Sequence, residues 1–394
     1  MTLIVCIIAV TSLFGGTTYK INRLGQFNYY NQATLLGRGG TGLSILDPNS
    51  INTLNPASMV VIPVTKFEAE FVHESTDIES QDVDGLSHYT NFNGVRFVVP
   101  IIVDKLVVGL GMRPLTYNFL NASETAELST GNKYTREVEN KGGLNQISFS
   151  IASGFKQRYY AGVNANFNFG KTEEIWRVIF VSDLFKNTDD RIVTKMWGGS
   201  VNVGFIAEIF DNLTFGAMYA SEMPINVNNK IEYTIGETTE TISSKISIPS
   251  MLGAGTSYTL KKRMRFSVDY LYHPISKLTI DGGEIASLDD NHIISLGCEV
   301  LPLSGYLDSF YKKMNYRIGF NYATLGYYDD EGNNVSEYMM TVGFGLPYYG
   351  GFGRLDCGLA YGKRGNLQNN TFEETIYKVT LSVSGGEKWF VRPK

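Results

Sequence analysis

The sequence is poor in the residues that build disulfide frameworks and metal sites. Its 394 residues include 3 Cys and 4 His, and no two cysteines form a Cys-x-x-Cys pair. These are too few for a disulfide scaffold or a zinc site, so we predict neither a bound metal nor a cofactor. The net charge of -5 lacks the basic excess that nucleic-acid binding needs, which excludes nucleic acid as a partner.

Long apolar runs are also scarce. The run at residues 3–14 has 12 residues, fewer than the roughly 20 that a transmembrane helix needs. Its position at the start of the chain predicts a secretory signal peptide over residues 1–18, although no Lys or Arg precedes it. Cys6 invites a lipoprotein interpretation, which Val5 disfavours because lipoprotein processing needs a small residue before the cysteine.

Aromatic residues and glycine, by contrast, are abundant, with 24 Tyr, 23 Phe and 41 Gly. From residue 64 onward, windows of about ten residues alternate apolar with small polar side chains. In one of them, Met264 and Phe266 share one face while Ser267 and Asp269 share the other. Such windows have the length of a tilted membrane-crossing strand. Because only helices and closed barrels satisfy every backbone polar group in lipid, the alternation predicts a membrane barrel.

Fourteen such windows can be counted, and they begin near Phe67, Val95, Leu106, Ile147, Ala161, Val201, Leu213, Leu252, Phe266, Ile294, Tyr316, Tyr338, Leu355 and Tyr377. The connections between them alternate in length, with long ones around 74–90, 116–143, 171–191, 223–246 and 274–291. An even strand number, with short periplasmic turns and longer extracellular loops, is typical of bacterial outer-membrane barrels. We therefore predict an all-β protein, a transmembrane antiparallel β-barrel of about 14 strands in the outer membrane of a Gram-negative bacterium.

Residues 19–60 do not alternate and are rich in glycine. They contain Leu36-Gly37-Arg38-Gly39-Gly40-Thr41-Gly42, then Asp47-Pro48, then Asn55-Pro56-Ala57. Gly37, Gly39 and Gly42 have the spacing of a dinucleotide-binding loop. That motif requires a strand before it and a helix after it, and Pro48 and Pro56 interrupt the expected helix. The composition therefore favours a close-packed coil.

This segment resembles the N-terminal signature of the FadL-like outer-membrane proteins, which include fatty-acid channels and the PorV-type barrels of secretion systems. The matching residues are Gly37, Gly39, Gly40, Asp47, Asn55, Pro56 and Ala57. The resemblance implies a 14-stranded barrel over residues 61–394 whose lumen is plugged by residues 19–60. It places Arg38, Gly39, Gly40, Asn55, Pro56 and Ala57 in that plug. A ligand-driven gate and static packing both remain open for this segment.

Several arginines fall on the small, polar side of the predicted strands and therefore face the lumen. They are Arg96, Arg113, Arg265, Arg317 and Arg354. These side chains could hold a ligand carboxylate, but pairing with lumenal acids is favoured. A buried Arg38 also needs a partner, and the inward acidic candidates are Glu68, Glu70, Asp269, Glu299 and Asp356. No Ser/His/Asp or Cys/His constellation is apparent, so we predict no catalytic residue and no enzyme.

Two functions remain open from the sequence. The first is passive transport of a small hydrophobic or amphipathic compound, with a wall gap at Gly111 and Pro114 as a candidate exit, because proline cannot donate to the strand ladder. Alternatively, Pro114 merely ends the third strand. The second function is that of a non-conducting accessory barrel in an outer-membrane secretion or assembly complex. The expected partners are outer-membrane lipid, a small hydrophobic ligand or other outer-membrane proteins.

Overall fold

The chain forms one antiparallel sheet that closes on itself as a barrel in the computed structural model. The structure describes residues 10–16, 19, 24–30, 32–80, 84–128, 131–182, 185–236, 238–285, 287–303, 309–329, 332–348 and 352–389. Within these residues, fourteen strands follow one another around the barrel in chain order. The last strand pairs with the first from Glu373–Glu79 to Glu387–Thr65, which closes the sheet. The predicted fold class and strand number are confirmed.

The strands in chain order are Thr65–Glu79 (β1), Asp84–Ile102 (β2), Leu106–Pro114 with Leu120–Glu127 (β3), Lys133–Phe155 (β4), Tyr159–Phe180 (β5), Thr188–Phe210 (β6), Leu213–Ala220 with Met223–Glu232 (β7), Thr239–Ile248 with Met251–Leu260 (β8), Met264–His273 (β9), Asn291–Val300 (β10), Asn315–Tyr328 (β11), Asn334–Tyr348 (β12), Gly353–Gly365 (β13) and Glu373–Glu387 (β14). Each of the fourteen windows found in the sequence lies in a different strand.

Alternation sorts the side chains of each strand between the lumen and the outer wall. In β5, Asn164 and Asn168 are buried inside, whereas Val163 and Phe167 between and beside them are exposed outside. The same rule holds around the barrel, so the outer wall carries a continuous apolar surface. A surface of that extent is stable against lipid rather than water. The barrel therefore spans the bacterial outer membrane.

Three strands on one side of the barrel are much longer than a membrane crossing requires. β4 and β6 have 23 residues each and β5 has 22, whereas about 10 suffice to cross the hydrocarbon layer. Their upper halves pair with the outer segments of β3 and β7 and stand above the membrane as an extracellular sheet. The sequence predicts long loops at 116–143, 171–191 and 223–246, and the structure differs because most of these residues continue the ladder.

Only short helices occur in the described residues, at Ala33–Gly37 (α1), Pro56–Val61, Ile275–Lys277 and Phe310–Lys313. None of the described helices is long and apolar enough to cross a membrane. Two-residue strands lie at Gln26–Phe27, Thr116–Tyr117, Thr279–Ile280 and Gly283–Glu284. Most of the predicted signal peptide lies outside the described residues, apart from Val10–Gly16, whose backbone pairs with residues 120–124 of β3.

Candidate lumenal site

The barrel lumen is occupied by residues 24–30 and 32–62, and we call residues 24–62 the lumenal segment. Most of its described side chains are buried, including every residue of α1. It is fastened to the wall by side chains that point inward from the strands. Asp269 on β9, for example, accepts hydrogen bonds through Oδ2 from the backbone N–H groups of Gly42 at 2.6 Å and Leu43 at 2.8 Å.

The Asn-Pro-Ala triplet forms one of these anchoring points. Asn55 precedes the turn of 3-10 helix at Pro56–Val61, and its Oδ1 accepts a hydrogen bond from the N–H of Ala57. Its Nδ2 donates to the carbonyl of Leu43 at 2.7 Å and also reaches the wall carbonyls of Phe205 and Ala217. An amide can cap a helix and donate at the same time, which explains why asparagine suits this position. The contacts of the triplet are structural ones.

Glycines allow the lumenal segment to lie directly against the wall. Gly39 has a φ of 65° and Gly40 a φ of 91°, a region that other residues rarely adopt. A Cβ atom on Gly39 would lie 2.5 Å from the backbone nitrogen of Phe320, and one on Gly319 would lie 2.2 Å from the nitrogen of Gly39. Both the segment and the wall therefore need glycine where they touch.

A buried network of charges holds the lower part of the lumenal segment. Arg38 lies 3.3 Å from Glu299 on β10 and 3.8 Å from Asp47 within the segment itself. Glu299 also contacts Arg265 and Arg317. Asp356 contacts Arg317 and Arg354, and Arg354 returns to Asp47. Each buried charge in this ring has at least one opposite charge beside it, as burial in a low-dielectric interior requires.

The charge of Asp47 is maintained by this network. Burial alone raises the pKa of Asp47, but the guanidinium groups of Arg354 and Arg38 outweigh burial and hold that pKa below its ordinary value. Of the partners that the sequence offers for Arg38, the structure selects Glu299. Asp47 is an additional partner that lies in the segment and not in the wall. Glu68 and Glu70 contact Arg96 instead.

Arg113 differs from the other lumenal arginines. Its Nε donates to Oε1 of Gln146 at 3.1 Å, and no ion pair among the described residues includes it. Arg96, Arg265, Arg317 and Arg354 all have carboxylate partners. Arg113 also lines two small cavities between the lumenal segment and the wall. A guanidinium without a carboxylate beside it can bind an anionic or strongly polar group.

The pairing of β3 with β2 is interrupted near Pro114. The ladder between β2 and β3 ends at the pair Val95–Met112, and the outer part of β3 has no partner in β2 among the described pairings. Beyond Pro114 the chain bends towards the lumen, where Thr116–Tyr117 pairs with Gln26–Phe27 of the lumenal segment. Gly111 still lies within the ladder, opposite Arg96, so the pairing with β2 ends after Met112, whereas Pro114 still pairs with Asn145 of β4.

Two cavities meet at this interruption. The inner cavity lies above the lumenal segment, has a volume of about 80 Å³ and is lined by Tyr30, Tyr89, Leu325 and Tyr327 among others. The outer cavity, of about 630 Å³, lies beside Pro114. Tyr117 and Phe119 line both cavities and therefore stand between them. The inner cavity has room for only a few water molecules, so a larger ligand requires these side chains to move.

The sequence gives little indication of two other lumenal clusters. The Tyr29 hydroxyl shares a hydrogen bond of 2.8 Å with Nδ1 of His273, and the side-chain amide of Asn291 donates to the same hydroxyl. Arg364 bridges Glu337 and Glu374 near the extracellular end. Alternation along the strands predicts that these residues face the lumen, but their partners lie on strands that are distant along the chain.

The fold and the lumen together define an outer-membrane barrel with the FadL-type architecture. Known structures with this fold include the toluene transporter TbuX of Ralstonia pickettii, with a TM-score of 0.62, 13% identity, and 93% of this chain and 100% of that chain covered. A FadL homologue of Pseudomonas aeruginosa has a TM-score of 0.62 and 12% identity, with 93% of this chain and 100% of that chain covered. The toluene transporter TodX of Pseudomonas putida has a TM-score of 0.60 and 14% identity, with 93% of this chain and 100% of that chain covered.

Sequence comparison assigns the family. The family described as BamG matches residues 3–394, almost the whole chain. The chain therefore belongs to the BamG family. No curated protein matches the sequence. At 12–14% identity, the structural similarity establishes the barrel fold and leaves the ligand and the partners to be tested.

Proposed function

We propose that this barrel mediates passive uptake of a small hydrophobic or amphipathic compound across the outer membrane. The observation that carries the proposal is the pair of cavities that meet at Tyr117 and Phe119, beside the break at Pro114. Solved structures with the same fold include toluene transporters and a monoaromatic hydrocarbon channel. These support a hydrophobic ligand class for this chain.

The proposed route runs sideways through the wall. A ligand enters beneath the extracellular loops and occupies the inner cavity. It then leaves past Tyr117 and Phe119 through the outer cavity into the outer leaflet of the membrane. The route through the bottom of the barrel is blocked by the charge network around Arg38 and Glu299, whose rupture is expensive. Displacing Tyr117 and Phe119 breaks the hydrogen bonds of the Tyr117 hydroxyl with Asn28 and Asn93 but no buried ion pair, and is therefore the easier opening.

Arg113 supplies a polar anchor if the compound is amphipathic. Its guanidinium has no carboxylate partner and lies beside a cavity lined by apolar side chains that include Leu54, Leu115, Met218 and Met251. An amphipathic ligand would place its polar group at Arg113 and its apolar part against these side chains. Arg113→Gln should then weaken uptake of amphipathic compounds and leave uptake of toluene unchanged.

The test measures uptake of radiolabelled toluene and of a radiolabelled amphipathic aromatic compound. The cells have the chromosomal gene deleted and express the native protein or a variant from a plasmid. Phe119→Ala should widen the passage and raise the initial uptake rate, and Phe119→Trp should lower it. Tyr322→Ala, on the exposed outer wall, is the matched control and should change nothing. Equal uptake with and without the protein would contradict the proposal.

A second function is supported by the tightly packed lumen and the extracellular sheet, namely that of a non-conducting accessory barrel in an outer-membrane complex. The tips of the sheet expose Val181 and Ile235, which are 80% and 71% accessible. The two tips are joined, because the amide N–H of Asp189 donates to the hydroxyl of Thr234 at 2.7 Å. Exposed apolar side chains on a rigid sheet are suited to docking.

Purification in a mild detergent followed by mass spectrometry separates the two functions. A stoichiometric hydrophobic small molecule without a protein partner would support transport. A stable complex with another outer-membrane protein, lost on changing both Val181 and Ile235 to Asp, would support the accessory role. The same two substitutions should leave toluene uptake unchanged if transport is the function.

A further inference from the structure

The short-turn end of the barrel carries a cluster of cations on one side. The cluster consists of Lys261, Lys262 and Arg263 in the β8–β9 turn and Lys312 and Lys313 in the short helix before β11. We call these five residues the basic turn patch. Four of them are exposed and Lys313 is half-buried. Short turns of outer-membrane barrels face the periplasm, so the patch lies at the periplasmic surface of the membrane.

The two parts of the patch are held together by the backbone. The N–H of Leu301, at the end of β10, donates to the carbonyl of Arg263 at 2.8 Å. The N–H of Leu303 donates to the carbonyl of Lys312, also at 2.8 Å. These bonds connect the turn and the short helix across the neighbouring strands. The backbone segments that carry the five cations are therefore held next to each other.

The patch carries more positive than negative charge, because its two connections contain five cations and one carboxylate, Asp308, which lies outside the described residues. No ion pair among the described residues includes Lys261, Lys262, Arg263 or Lys312. Arg158 in the β4–β5 turn, by contrast, contacts Asp211 in the β6–β7 turn at 2.9 Å. The periplasmic end of the barrel at β8–β11 therefore carries an excess of positive charge.

Backbone preference does not account for lysine in the β8–β9 turn. Lys261 and Lys262 have φ values of 49° and 57°. Two successive residues with positive φ are typical of a type I′ hairpin turn, for which Asn-Gly is the preferred pair. Lysine in the left-handed region carries a steric penalty. The lysines thus occupy positions that asparagine and glycine would fill with less strain, so an Asn-Gly pair keeps the turn while it removes both charges.

Apolar side chains lie directly beside the cations. Phe310 and Tyr311, in the same short helix as Lys312, are each 60% exposed. The carbonyl of Tyr311 accepts a hydrogen bond from the hydroxyl of Tyr316 on β11, which fixes the helix against the barrel. Aromatic side chains next to lysines are suited to the boundary between acyl chains and headgroups, where the ring contacts hydrocarbon and the ammonium contacts phosphate.

We propose that the basic turn patch binds the phosphate headgroup of an anionic phospholipid in the periplasmic leaflet of the outer membrane. Lys261, Lys262, Arg263 and Lys312 contact the headgroup, and Phe310 and Tyr311 contact its acyl chains. A membrane lipid is favoured over an acidic soluble partner because the hydrogen bond from Tyr316 on the outer wall to Tyr311 places the exposed aromatic residues beside that wall. This inference is independent of the function proposed for the lumen.

The test titrates the full-length protein, purified in a neutral detergent, with phosphatidylglycerol and counts bound lipids by native mass spectrometry. Lys261→Asn combined with Lys262→Gly gives a turn with the preferred Asn-Gly pair, so misfolding is not a concern. Each cation near a lipid surface contributes about fivefold in affinity, so this variant should bind about 25-fold more weakly. Lys230→Asn combined with Lys245→Asn, which removes the same charge from the extracellular end, should bind as the native protein does.

Three outcomes would overturn the proposal. They are equal affinity for phosphatidylglycerol and phosphatidylcholine, an unchanged affinity in the Asn-Gly variant, and an equal loss in the variant with the two extracellular substitutions. A fourth arm adds millimolar inorganic phosphate as a competitor. Full displacement of the lipid by phosphate would show that the patch recognises free phosphate, which contradicts a lipid site. Retention of the lipid under these conditions supports it.

Discussion

Glu299 is the residue on which the lumenal charge network depends most. Its carboxylate contacts Arg38, Arg265 and Arg317 and accepts a hydrogen bond from the side chain of Asn315 at 3.0 Å. Three guanidinium groups share one buried carboxylate, so its loss would leave several cations short of a partner. This single side chain joins the lumenal segment to β9, β10 and β11.

Glu299→Gln should lower the free energy of unfolding by about 3–5 kcal/mol, because uncompensated buried charge is costly. Urea unfolding in lipid vesicles, followed by tryptophan fluorescence, measures the change. Glu139→Gln is the matched control, since Glu139 is partly exposed and contacts Lys141 and Arg177. Surface pairs contribute at most about 1 kcal/mol, so equal losses in the two variants would contradict a central role for Glu299.

At the scale of elements, the periplasmic turns are tight and several place ordinary residues in the left-handed region. Lys156 and Gln157 in the β4–β5 turn have φ values of 53° and 55°. This geometry matches the twist of the flanking strands. The turn therefore keeps its shape at a conformational cost that glycine would reduce.

Lys156→Asn combined with Gln157→Gly should stabilise the barrel by about 1 kcal/mol, because Asn-Gly adopts positive φ more readily. The unfolding midpoint in urea is the measurement. Replacing both residues by alanine leaves the strain in place and should give no stabilisation. A midpoint that rises equally for the alanine variant would mean that side-chain charge, and not backbone strain, limits stability at this turn.

For the whole molecule, the state of the lumen decides whether the barrel conducts. A closed sheet of fourteen strands is too wide for its own side chains to fill. The lumenal segment fills that space and leaves an inner cavity of about 80 Å³ above it. We therefore expect the lumenal segment to close the barrel along its axis.

Deletion of residues 24–62 should convert the barrel into an open pore. Single-channel recording in planar bilayers should show steady conductance for the deletion and very little for the intact chain. A milder variant, Arg38→Ala with Asp47→Asn, keeps the segment and loosens one anchor, so brief openings are expected. If both variants stayed silent while correctly inserted, the segment would not be what closes the lumen.

Much of the architecture could be predicted from the sequence, because alternation is a local property. Phe266 and Asp269 fall on opposite faces of their strand, so alternation alone assigns Phe266 to lipid and Asp269 to the lumen. Fourteen such windows give the strand number. The extracellular sheet was missed for the same reason. Above the membrane the outer face no longer contacts lipid, so strands such as β5 continue with charged residues on it, and local hydropathy no longer marks them.

The partners of the lumenal charges could not be predicted, because they depend on contacts between distant residues. Arg38 meets Glu299 across 261 positions of the chain, and only strand register and barrel closure bring them together. The isolation of Arg113 and the meeting of two cavities at Tyr117 likewise arise from where β3 bends. The sequence by itself determined the barrel, its strand number and the side each residue faces. The tertiary structure decided which charges pair and where β3 stops pairing with β2.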